Sequence, residues 1–105
     1  MDKFVTALMN TVKELRKKIK DAEAQKIMLQ MLISEYDNKA RTLRNMTWIP
    51  NMVPGTNELH FNKWKHFSIA ANKKALSELH RQAIETQKYL KSLQRQLTEI
   101  NNKIN

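Results

Sequence analysis

Three histidines, four serines and ten carboxylates are the side chains here that could do acid–base, nucleophilic or metal chemistry. Two ligands share a helical face when they stand three or four apart. His60, His66 and His80 offer no such pair, and there is no cysteine to complete a set. Glu35 and Asp37 are two apart and would point away from each other on a helix. Ser34, Ser68, Ser77 and Ser92 have no partnered base at a readable spacing, and a single glycine cannot build a phosphate-cradling loop. Neither catalysis nor a bound metal or cofactor is expected.

The charged chemistry that remains is attraction for anions. The formal net charge is +9, which suits nucleic acid, an acidic protein surface or an anionic membrane. In KELRKKIK, the cations Lys13, Arg16, Lys17 and Lys20 fall off the apolar seam described below. Lys74, Arg81, Lys88 and Arg95 recur once per heptad, about 10 Å apart on a straight helix, and could track phosphates. Glu78, Glu85 and Glu99 follow three of them by four residues and dilute that stripe.

Helices must position these groups. Apolar residues recur at steps of three and four from Met1 through Val5, Leu8, Val12, Leu15, Ile19, Ala22 and Leu29 to Leu43, with Lys26 interrupting. A second series runs from Ile69 through Leu76, Leu79, Ala83, Leu90, Leu93 and Leu97 to Ile104, with Asn72 and Thr86 as polar members. Both are heptad seams. Between them TWIPNMVPG holds both prolines and the glycine, which break a helix. Thr56 or Asn57 can cap the second helix, and Glu58 favours its positive end.

The expected fold is all-α: a long antiparallel helical hairpin forming one domain over residues 1–105. Helix 1 covers about 2–45, the turn region about 46–57 and helix 2 about 58–104. Pairing residue i with 105 − i puts seam on seam: Leu15 meets Leu90, and Val12 meets Leu93. Parallel pairing of two copies of helix 1 would also suit its seam.

A two-helix hairpin buries only the seam stripe, and this chain carries more. Ile27, Met28, Met31 and Leu32 make helix 1 apolar nearly all round at mid-length, the pattern of a helix enclosed by partners. Those partners would be a second copy, completing a four-helix bundle, or another protein subunit. At the turn, Trp48, Ile49, Met52 and Val53 are apolar, and Phe61, Trp64 and Phe67 follow at three-residue steps on one side of helix 2. The loop is expected to fold over Leu43, Phe61 and Trp64, while presenting Trp48 and Trp64 as docking groups.

The tetrapeptide Phe61-Asn62-Lys63-Trp64 is similar to an F-x-K-W element in the cytosolic coiled coil of the tail-anchored-protein insertion receptor. The likeness spans four residues, without that receptor's flanking membrane spans. The combination of length, charge and hairpin resembles the insect-nodavirus silencing suppressors that lie along double-stranded RNA, with no motif shared. Neither resemblance assigns a family.

The leading expectation is therefore a non-catalytic assembly subunit that binds proteins through the mid-helix belt and the tip. The alternative is a dimeric bundle binding duplex RNA or DNA through its basic faces, without reading sequence. Membrane-surface binding through the tip is a third reading, disfavoured because the loop is short. No apolar run approaches the ~18 residues of a membrane span, and the lack of cysteine suits a reducing compartment. An intracellular location, cytoplasmic or nuclear, follows as an expectation.

Overall fold

A computed structural model describes residues 2–50 and 57–104. It contains two helices, α1 (Lys3–Asn45) and α2 (Glu58–Ile104), packed as an antiparallel hairpin. Thr56, Met52 and Val53 lie outside the described residues.

Both helix starts are set by side-chain caps. Asp2 Oδ1 accepts from the Phe4 backbone N–H at 3.1 Å, and Asp2 O accepts the first helical bond from Thr6 N at 3.2 Å. Asn57 does the same for α2: its Oδ1 accepts from His60 N at 2.8 Å, and its carbonyl from Phe61 N at 3.0 Å. Each cap satisfies one of the amide donors that a helix start leaves unpaired. Glu58 in the first turn of α2 adds a favourable charge at its positive end.

The residues group into two units. The first joins Met1–Gln30 to Gln82–Asn105. Its core is Leu15, Ala22, Leu90 and Leu93, with Ile19, Leu97 and Ile100 packed against it. Val12 and Leu29 are buried too, and Leu29 is only 1% exposed. Each such leucine is worth about 1.5–3 kcal/mol on burial, and these residues hold the unit together.

The second unit is Met31–Arg81, and its seam is thinner. Among its described residues only Ala40 and the polar Asn72 are buried, while Ile33, Tyr36, Leu43, Ile69, Leu76 and Leu79 are half-buried. Where Ala40 leaves room, a hollow of about 310 Å³ opens, lined also by Arg44, Ile69, Asn72, Lys73 and Leu76. Three hydrogen bonds, one from an asparagine and two from a lysine, also join the helices here. Asn72 Nδ2 donates to Tyr36 O at 3.1 Å. Lys65 Nζ donates to Arg44 O at 3.1 Å and to Met46 O at 2.7 Å, closing carbonyls that the end of α1 would leave open.

These bonds join the two helices in the second unit. Pairing i with 105 − i places Asn72 opposite Ile33 and Lys65 opposite Ala40. The carbonyls they reach, on Tyr36, Arg44 and Met46, lie three to six residues further along the chain.

Candidate functional site

The side chains offered for interaction are those that the hairpin seam leaves outside. On α1, Ile27 is 57% exposed and Met28 47%, both in the first unit. Met31, in the second, is 61% exposed. Leu32 differs from that expectation in being half-buried. It stands three residues after the buried Leu29 and four before the half-buried Tyr36, so its side chain lies at the edge of the seam stripe.

At the turn end the apolar residues divide. Met46, Trp48 and Phe61 are half-buried, whereas Ile49 is 56% and Trp64 48% exposed. Trp64 leans on Phe61 with ring centroids 5.8 Å apart and planes tilted by 38°. Trp48 is therefore partly covered, and Trp64 and Ile49 are the groups presented. Met52 and Val53, named with them from the sequence, fall outside the described residues.

Phe61, Trp64 and Phe67 do not share one side. Phe61 is half-buried and Phe67 is 75% exposed. A three-residue step falls about 60° short of a full turn, so two steps swing Phe67 roughly 120° away from Phe61. A sequence signal for this was present. Phe67 stands one heptad before Lys74 in the outward series that continues with Arg81, Lys88 and Arg95. Extending that stripe backwards places Phe67 in solvent. Leu59 at 59% exposure, and Ile84 and Tyr89 at 58% and 51%, were not singled out by the heptads either.

The basic residues are exposed. In the first unit these are Lys13, Arg16, Lys17 and Lys20 on α1 and Lys88 and Arg95 on α2; in the second, Lys74 and Arg81 on α2. Arg81 is engaged by Glu78, three residues before it, in a two-pronged ion pair whose Nε–Oε2 leg is 3.0 Å. With the acid on the N-terminal side, this is the more favourable orientation for a helical pair. It is weak, being half in solvent on both sides, but it draws Arg81 toward its own helix. Lys39 on α1 likewise lies over the Tyr36 ring, 4.9 Å from its centroid.

Among the described residues no three His, Cys, Asp or Glu side chains gather as a metal site would require. No helix of the described chain is long and apolar enough to cross a membrane. No family model, no curated protein and no solved structure matches this chain.

Proposed function

We propose that this chain is a non-catalytic helical-hairpin subunit that binds protein through the outward side of α1, with the turn end as a second contact. The observation that carries this reading is the exposure of Ile27, Met28 and Met31, at 57%, 47% and 61%, on a helix whose seam is already paired. Large apolar groups crowded within a helical turn gain about 1.5–3 kcal/mol each when fully covered. Methionine also adapts to the uneven surface of a partner helix. A second copy packed on this side, completing a four-helix bundle, is the simplest partner. Another subunit would use the same side chains.

Sedimentation tests it. The isolated chain is expected to run heavier than a monomer, and Met28→Glu with Met31→Glu to return it to monomer with its helix content unchanged. A parent chain that is already monodisperse as a monomer, and is unaffected by both changes, overturns the reading.

A second reading rests on the exposed cations of the first unit, Lys13, Arg16, Lys17 and Lys20 on α1 with Lys88 and Arg95 on α2. A dimer of this chain would bind duplex RNA or DNA through phosphate contacts alone. Affinity would fall steeply with salt and be indifferent to sequence. The absence of a mobility shift with duplex at low salt removes this reading.

A further inference from the structure

The first half of α2 carries a surface of which the readings above use only Trp64, at the turn end. From Leu59 to Ser77 there is no acidic residue, while Lys63, Lys65, Lys73 and Lys74 and two histidines fall within it. Lys65 is engaged at the end of α1; Lys63, Lys73 and Lys74 are exposed. At about 100° per residue, Leu59, Lys63, Phe67, Ala70 and Lys74 share the outward face. Phe67, at 75%, is the most exposed large apolar side chain of the described residues. A shallow hollow beside it is lined by Asn62, Lys63, His66, Phe67 and Ala70. Trp64 flanks this face at 48% exposure, and Leu59 stands at its start at 59%.

We propose that this face docks on an anionic phospholipid surface. Phenylalanine, tryptophan and leucine would enter the boundary between head groups and acyl chains. The neighbouring lysines would lay their stems along the chains and hold their ammonium groups at the phosphates. The charge pattern selects an anionic layer, since no carboxylate on this stretch opposes it. The shape selects a lipid surface over single-stranded nucleic acid. Bases need successive free ring faces to stack on, whereas Trp64 already leans on Phe61 and Leu59 offers no ring. An open helix face without walls meets a fluid layer without needing a matched groove. The loop is too short to insert by itself; α2 supplies the apolar area that the loop lacks.

The test is co-sedimentation of the full chain with vesicles, at physiological ionic strength. Vesicles of phosphatidylcholine with about a third phosphatidylserine should pellet the chain, and pure phosphatidylcholine should not. Phe67→Ala should weaken binding about tenfold with the helical circular dichroism unchanged, because that ring is not part of the seam. Lys63→Gln with Lys74→Gln should weaken it as well. The pair Met28→Glu and Met31→Glu should bind vesicles like the parent chain, which separates this face from the assembly surface on α1. No pelleting with the anionic vesicles overturns the proposal. So does binding indifferent to Phe67→Ala, which would leave charge attraction alone. Tighter, Phe67-dependent binding to a single-stranded oligonucleotide would assign the face to nucleic acid instead, and loss of vesicle binding in the α1 variant would assign the contact to α1.

Discussion

Lys65 sits where the α2 heptads begin, and there its charge serves the backbone of the other helix. Its ammonium donates to Arg44 O and Met46 O, two carbonyls at the end of α1 that have no following turn to bond them. Hydrogen bonds to a charged group are stronger than neutral ones. Lys65→Met keeps the stem and removes both bonds, and should cost about 1–2 kcal/mol in urea unfolding. An unchanged unfolding midpoint would mean that solvent replaces Lys65 without loss. Asn72 plays the companion role, reaching Tyr36 O from a buried seam position. A polar seam residue costs stability and helps to fix alignment. Neither bond was legible in the sequence. Asn72 was visible as a polar member of the second seam, but the backbone carbonyl that it or Lys65 satisfies depends on how the two helices meet.

At the scale of the elements, the heptads were readable. The expected seam positions on α1 from Val5 to Leu43 are buried or half-buried, and so are those on α2 from Ile69 to Ile100; Ile104, the last expected seam residue, is 39% exposed. The period of a helix dictates which stripe can be covered, and composition supplied the stripe. The caps were half legible: Asn57, one of two residues with suitable side chains, is the N-cap of α2. Asp2 caps α1 by the same chemistry, and the aspartate before the first apolar residue was available as a signal. Phe67 was expected on one side of α2 with Phe61 and Trp64, although the outward heptad stripe of Lys74, Arg81, Lys88 and Arg95, extended back one heptad, puts it in solvent, where it lies. The two elements also differ in how they are held. Leu29 is 1% exposed, so Leu29→Ala should cost about 2–5 kcal/mol in chemical unfolding. A loss below ~1 kcal/mol would show that the seam around it relaxes and that α1 depends little on this position.

For the whole molecule, the surplus of apolar surface is the feature that asks for a function. Ile27, Met28 and Met31 on α1, and Leu59, Trp64 and Phe67 on α2, are all exposed. Individual exposed apolar residues are ordinary, but clusters mark contact surfaces. The first cluster was legible because a helix apolar on every side cannot be satisfied by one neighbour; the second was legible only by extending the outward stripe of α2 back from Lys74 to Phe67. The basic charge of +9 bears on both. It opposes crowding of identical chains at low salt and favours it as salt screens the repulsion, so any self-association should strengthen with ionic strength, whereas phosphate binding should weaken.

The central claim is that the outward side of α1 is covered in the working protein. Methionine oxidation by peroxide, read residue by residue in the mass spectrum, measures that cover directly. With the chain concentrated enough to assemble, Met28 and Met31 should oxidise several-fold more slowly than in the same chain diluted to monomer. Equal rates in an assembled sample and a monomeric one would show that these side chains stay in water, and would contradict the account.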